Sequence, residues 1–463
     1  MRKETDTLGS VTLQDDILYG ISTYRALQNF NVSNETVNID IIMELVNIKK
    51  QASLTNYKLG YIPENKHQAI IKACDLISLG KYDDMFVVNR YQGGAGTSSN
   101  MNVNEVIANV ALTILNEPIG SYNIIHPIND INKHQSTNDT YPTAIKIAAI
   151  KHIRTLANSY STLQKTFQAK EQEYGDALKL GRTQMMDALP LRVGQMFGAY
   201  ADVISRDRWR IYKVEERLRT INIGGTAIGT GLNAPHKYTF LMTSLLQEST
   251  NIGLSRAENL IDNTQNLDAF VEVSGLLKVA ASTLIKIAQD LRFLSSGPSG
   301  GIGEIILQDN QVGSSIMPGK VNPVILEMTI QNAYKVISND TYITNLVSSG
   351  NLELNAFLPG ISEALIESLT LLYKTVDILN EKCIAPLKVN RQKCLENIEQ
   401  SYTLLTPLIN IIGYDKASAI VKEAKANQKT IKEVLLKHEY FTKEQLDKLL
   451  DPFNITKPGL VEE

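Results

Sequence analysis

The chain has 463 residues, 43% of them apolar and 21% charged, with a formal net charge of -3. That length allows two or three domains with a large core, and the balance excludes a disordered polymer and gives no basic field for nucleic acid. No run of about 20 apolar residues is available to span a bilayer, and Cys74, Cys383 and Cys394, odd in number and without CxxC pairing, argue against a disulfide framework or a structural zinc site.

The opening, MRKETDTLGS, is charged and has no apolar core of the secretory kind, which points to a cytoplasmic protein. The Asn31-Val32-Ser33 and Asn34-Glu35-Thr36 triplets then carry no meaning as glycosylation acceptors. Residues 93–109 read GGAGTSSNMNVNEVIAN, where Thr97 follows a glycine string that is not the dinucleotide pattern GxGxxG. Residues 126–143 read HPINDINKHQSTNDTYPT and place Ser136, Thr137 and Asn138 beside a stretch, 142–174, with no interior Pro. Residues 181–190, GRTQMMDALP, carry Thr183 and Gln184 just before a second such stretch, 190–222.

From Phe270 the residues Val273, Leu277, Ala280, Leu284, Ile287, Leu291 and Leu294 recur at alternating three- and four-residue steps, the stripe of a bundle helix. Leu365, Leu369, Leu372, Val376 and Leu379 repeat the pattern, and residues 323–348 form another stretch free of interior Pro. Helices of roughly 25 to 35 residues exceed the globular mean of about 11–12 and stack side by side in large bundles or across subunits. No alternating run predicts a large sheet. Beyond Asn390, Thr430 with Glu433 and Thr442 with Gln445 are capping-box signals for short helices.

Between the stripes lies GSSIMPGKVNPVILE, residues 313–327. Gly313 and Gly319 permit unusual backbone angles, Ser314 and Ser315 bring hydroxyls, and Pro323 suits the start of a helix whose free N–H groups favour an anion. The string is not a phosphate-cradling P-loop, since five residues separate Gly313 from Gly319 and Val321 follows Lys320 where that motif has Ser or Thr. An ordinary Gly/Ser/Pro connection is the plain alternative.

These segments together resemble the aspartase/fumarase superfamily, whose shared signature is GSSxMPxKxN, and the likeness runs from Thr7 to about Ile455. The resemblance implies an all-α protein of three domains, 1–140, 141–392 and 393–463, with a central long-helix bundle shared in a homotetramer and active sites built from three subunits. It also implies elimination of a group beta to a carboxylate to give fumarate, on a small dicarboxylate, with no cofactor or metal and no nucleic-acid or membrane partner. By similarity Ser314 is the base. Thr97, Ser136, Thr137, Asn138 and Ser315 surround the carboxylate beside the reacting carbon, with Asn138 also reaching the leaving group, while Thr183, Lys320 and Asn322 hold the other end and Gln184 is a further substrate-binding residue.

The chemistry suits those residue types. An enediolate dianion forms only where fixed donors already surround the oxygens that gain charge, and a serine acts as base only where cations, backbone N–H groups and exclusion of water favour its alkoxide. The glycines at 297–303 and 313–319 would let a lid close. The plain readings are that Ser136 and Thr137 cap a helix, Thr97 belongs to a turn, and Lys320 is a solvated charge.

Within the family the cues favour the aspartase branch over the class II fumarate hydratases. Hydratases resemble GRTH where this chain has Gln184, and a departing ammonium needs no proton delivered, whereas a departing hydroxyl does. GGAGTSSNMN, QSTNDTYPT and GTGLNAP at 229–235 look like aspartase, while the second glycine of Gly224-Gly225-Thr226 looks like a hydratase. HPIND in place of HPNDD, and His134 where relatives have Cys or Ser, are departures that bear on substrate preference. A catalytically silent helical scaffold is the alternative of another class.

Overall fold

A computed structural model describes residues 1–460; residues 461–463, the end of the expected third domain, lie outside the described residues. The chain opens with an antiparallel hairpin, β1 (Arg2–Asp6) and β2 (Gly9–Leu13). Helices α1 (Ile21–Asn29), α2 (Ile39–Lys58), α3 (Glu64–Ser78), α4 (Thr97–Ile114) and the long α5 (Thr137–Glu173) follow. A second hairpin, β3 (Leu178–Thr183) with β4 (Met186–Arg192), leads into α6 (Val193–Leu218). Then come β5 (Thr220–Ile221), α7 (His236–Thr250), β6 (Ser255–Arg256) parallel to β5, α8 (Leu260–Gln265) and α9 (Asp268–Leu294). Strand β7 (Ile305–Ile306) precedes α10 (Val324–Ser348) and α11 (Leu358–Leu379), and β8 (Lys388–Val389) pairs back on β7. The end is α12 (Arg391–Gln400), α13 (Ile409–Ile412), α14 (Tyr414–Asn427), α15 (Ile431–Lys437), α16 (Lys443–Leu449) and α17 (Pro452–Ile455).

The expectation of a mostly helical protein holds, and the sequence stripes are its core. Every residue of the α9 stripe from Phe270 to Leu294 is buried, as is every residue of the α11 stripe from Leu365 to Leu379. The stretch expected from 190 starts as a helix only at Val193, because Pro190 and its neighbours belong to β4. Helix α5 starts before Pro142 and holds it inside. A proline has no N–H to give the carbonyl four residues back; that carbonyl, on Asn138, accepts instead from Asn222 Nδ2 at 3.0 Å. The helix therefore tolerates Pro142 with its backbone acceptors satisfied.

Two compact units divide the chain. One comprises Met1–Ala157, Arg210–Val279 and Tyr334–Leu372. The other comprises Asn158–Trp209, Ala280–Ala333 and the chain from Tyr373 onward. In the second unit Leu178 and Leu180 of β3 join Leu404, Leu408, Ile420 and Val434 in one apolar cluster, so the hairpin is held against the short C-terminal helices. Both capping boxes are formed: Thr430 and Glu433 exchange hydrogen bonds at the start of α15, as do Thr442 and Gln445 at α16. Among the described residues no helix is long and apolar enough to cross a membrane.

Candidate functional site

The first unit brings Ser136, Thr137 and Asn138 to the N-terminus of α5, with Thr97 at the N-terminus of α4. Ser136 is the helix cap: its Oγ accepts from the Asn138 N–H at 3.2 Å, and its N–H donates to Asp139 Oδ1 at 3.1 Å. Capping leaves the Ser136 proton available. Thr137 Oγ1 accepts from Asn100 Nδ2 at 3.1 Å, which turns the threonine's own O–H into a donor for something else. Asn138 spends one amide N–H on Ala227 O at 2.6 Å. Thr97 is exposed and gives its hydroxyl proton to Gly94 O at 2.8 Å, the turn role that the sequence also allowed.

Behind this row sits a buried amide network. Asn132 Oδ1 accepts from Lys49 Nζ at 2.9 Å, from Asn100 Nδ2 at 3.1 Å and from Asn104 Nδ2 at 3.3 Å. Lys49 also reaches Gln135 Oε1 at 2.9 Å. Burial pulls the Lys49 ammonium down to about 7, opposed by the charge of Asp139. Burial likewise raises Asp139 to about 7, opposed by N–H donation from Thr226 and Ser136. Cross-bonded groups of this kind hold the loop in one conformation at the cost of desolvation. Lys49, Asn100 and Asn132 were missed by the sequence reading, although Lys49 is a lone cation on the face of α2 that also buries Leu45, Ala52 and Asn56.

His134 adopts a left-handed conformation at φ 61° and places Nδ1 2.7 Å from Asn56 Oδ1. Asn56 Nδ2 donates to Lys133 O, so His134 Nδ1 is the donor in that pair. Tyr61 and Tyr238 meet its ring edge-on at 4.7 and 5.7 Å, and burial keeps it below the usual histidine range. Just upstream, Pro127–Ile131 form one π-helical turn fixed by His126 Nδ1 and by Asp130, which pairs with Lys66 at 2.9 Å.

The second unit holds the rest. Thr183 and Gln184 stand exposed at the tip of the β3–β4 hairpin, where Gln184 and Met185 take φ 54° and 63°. Two non-glycine residues in that region mark a strained turn. A cavity of about 1180 Å³ beside the tip is lined by Thr183, Lys179, Arg182, Lys286 and Arg292, and each of these cations has a carboxylate beside it: Glu304 for Lys179 and Arg182, Asp290 for Lys286 and Glu327 for Arg292.

In the glycine-rich segment Ser314 Oγ accepts the N–H groups of Met317 at 3.1 Å and Ile316 at 3.3 Å. Asn322 Nδ2 donates to Gly313 O at 2.8 Å and closes the neck. A Cβ on Gly313 would lie 2.2 Å from Lys320 O, so only glycine fits there. Ser315 and Lys320 are exposed, and α10 begins directly after Pro323. Thus the structure assembles Ser136, Thr137 and Asn138 with one another, and Ser314, Ser315, Lys320 and Asn322 with one another. The two sets fall in different units of the chain.

Comparison with known proteins agrees with the motifs. Residues 9–338 match the family described as Lyase, and residues 404–457 match the Fumarase C C-terminus family. The aspartate ammonia-lyase of Helicobacter pylori strain 26695 is 42% identical over 460 residues, covering 99% of this chain and 98% of that one. A crystal structure from Brucella melitensis described as fumarate lyase:delta crystallin, bound to cobalt, is 43% identical with a TM-score of 0.95, covering 99% of this chain and 100% of that one. The class II fumarase of Schistosoma mansoni is 32% identical with a TM-score of 0.93 and 99% coverage of each chain.

Proposed function

The chain belongs to the aspartase/fumarase lyase superfamily and is a carbon–nitrogen lyase; from that premise we propose that it is an aspartate ammonia-lyase, which eliminates ammonia reversibly from L-aspartate to give fumarate. The observation that carries the reading is its near full-length likeness to the H. pylori aspartate ammonia-lyase. Gln184 at the hairpin tip supports it, since a neutral amide is no acid for expelling hydroxide.

In this reading the Ser314 alkoxide takes the proton from the carbon beside the substrate's β-carboxylate. The electron pair moves into that carboxylate as an enediolate, held by the hydroxyls of Ser136, Thr137 and Ser315 and by Asn138, joined by Thr97 once its O–H turns away from Gly94 O. Collapse forms the carbon–carbon double bond, and the C–N pair departs on nitrogen as neutral ammonia. The Ile316 and Met317 N–H groups that already point at Ser314 Oγ supply part of what an alkoxide needs. Lys320, Asn322, Thr183 and Gln184 bind the other carboxylate, and the lid shuts out water.

The domains proposed are 1–140, 141–392 and 393–463, assembled as a homotetramer with composite sites. Thr183, Gln184, Ser315 and Lys320 are exposed on the single chain, as residues that serve a neighbour's site would be. Cytoplasmic placement fits three buried, free thiols. Incubating the purified protein with L-aspartate and, separately, with L-malate tests the proposal. Fumarate with ammonia from aspartate is expected. Fumarate from malate alone would make it a class II fumarate hydratase, and fumarate from neither would make it a scaffold.

A further inference from the structure

One fully buried carboxylate in the second unit has no place in the chemistry above. Glu304, with no exposed surface, lies ten residues before Ser314. Its Oε1 accepts from Arg182 Nη2 at 2.8 Å and from Asn397 Nδ2 at 3.0 Å, and its Oε2 accepts from Arg182 Nη1 at 3.1 Å. Lys179 Nζ stands 3.6 Å away and donates to Leu180 O. The Glu304 main chain is fixed too: its carbonyl accepts the Asn390 N–H at 2.9 Å and the Cys394 thiol at 4.0 Å, and β7 starts at the next residue. Three regions distant in sequence thus converge on one side chain: the hairpin, the approach to the serine loop, and α12.

We infer that Glu304 is a positioning residue that aims the tip of the β3–β4 hairpin, through a two-pronged hydrogen bond to Arg182. Arg182 directly precedes Thr183 and Gln184. The tip itself is poorly determined from within, because it is exposed and its two turn residues occupy a disfavoured region of backbone space. An orientation fixed at the root is what such a tip requires. The paired fork sets both the distance and the plane of the guanidinium, which one point charge would not do. Lys179 also lies in this interior, and burial with the neighbouring Arg182 charge pulls it below the ordinary lysine range while Glu304 opposes them. Neutralising Glu304 therefore leaves the buried Lys179 and the half-buried Arg182 facing each other without their shared acceptor and drives the hairpin root apart.

The inference rests on the reading of Thr183 and Gln184 as substrate-binding. The test is Glu304→Gln in the full-length assembled enzyme, with steady-state kinetics on L-aspartate and hydrogen exchange of residues 178–192. The expected result is a KM raised about tenfold or more, with faster exchange across the hairpin, and no further rise when Thr183→Ala is added. A purely structural role would lower the active fraction and leave KM unchanged, and an unchanged KM in folded Glu304→Gln overturns the inference. Should that variant fail to assemble, Arg182→Lys keeps the charge and loses the fork, and the same KM criterion decides. Arg391→Ala, which removes an exposed pair to Asp176 in the same unit, should leave KM untouched. If the wild-type enzyme gives no fumarate from aspartate, the functional reading falls by itself, and the exchange data alone then decide whether Glu304 aims the hairpin.

Discussion

The donor row at the start of α5 and the serine loop before α10 are built on opposite principles. Around Thr137 nearly every amide is buried and used: Asn100 binds Asn132 and Thr137, and Lys49 locks Asn132 to Gln135. Around Ser314 the chain is mostly exposed and glycine-hinged, with Asn322 closing its neck on Gly313. Stabilising a developing enediolate requires dipoles that do not reorganise, whereas admitting substrate and then excluding water requires a part that moves. On the proposed mechanism, the contrast teaches that one set of residues is fixed in folding and the other is left free to act last.

The sharpest way to break that contrast is Ser314→Ala. With Ser314 as the proposed base, its loss should cut turnover about 10³-fold, within the span of general-base catalysis, while oligomeric state and melting temperature, measured by light scattering and calorimetry, stay at wild-type values. Thr137→Val attacks the fixed side and should do two things at once. Turnover should fall about 10²-fold for one lost donor, and chemical denaturation should show a loss of about 1–3 kcal/mol, because Asn100 is left with a buried, unmet N–H. If Thr137→Val costs activity but no stability, the donor row is not fixed in folding as described.

Smaller effects sharpen the picture. Gly96 precedes Thr97 at φ 91°, and a Cβ there would lie 2.6 Å from the Tyr141 ring. Gly96→Ala should therefore cost about 1–3 kcal/mol in denaturant unfolding. Thr430→Ala removes the α15 capping box, far from either set in sequence, and should cost about 1 kcal/mol with kcat and KM unchanged.

Acidification gives the mildest test. Burial holds His67 and His134 below the ordinary histidine value, so the unfolded chain binds protons that the folded one refuses. Their contribution is whole above the ordinary pKa near 6.5 and is lost as pH falls through it. His67→Gln, at a side chain stacked on Tyr57 and bonded to Ser53, should flatten the fall in unfolding midpoint between about pH 7.5 and about pH 5.5.

Long apolar periodicity made the bundle legible in the sequence. The three- and four-residue steps in α9 and α11 record burial of one face, and every residue named from them is buried. The β3–β4 hairpin was not legible. Its turn is Gln184-Met185 rather than a glycine-bearing pair, Pro190 interrupts its second strand, and Lys179 sits buried between Leu178 and Leu180, so neither alternation nor a turn signal survives. Motifs located Ser136 to Asn138 and Ser314 to Asn322. They were silent on Lys49, Asn100 and Asn132, whose role comes from contacts between α2, α4 and the 126–143 segment that only folding brings together. Glu304 was silent for the same reason, its partners lying 122 and 93 residues away.

The central claim, a fixed donor row met by a movable base, is tested most directly by hydrogen exchange on the assembled wild-type enzyme, with and without the unreactive dicarboxylate succinate. The account predicts that amides of 313–322 exchange quickly in the free enzyme and become protected with succinate, while those of 100–111 and 139–145, past the open first turns of α4 and α5, are protected throughout. Slow exchange in 313–322 without ligand, or a donor row that gains protection only when succinate binds, would contradict it.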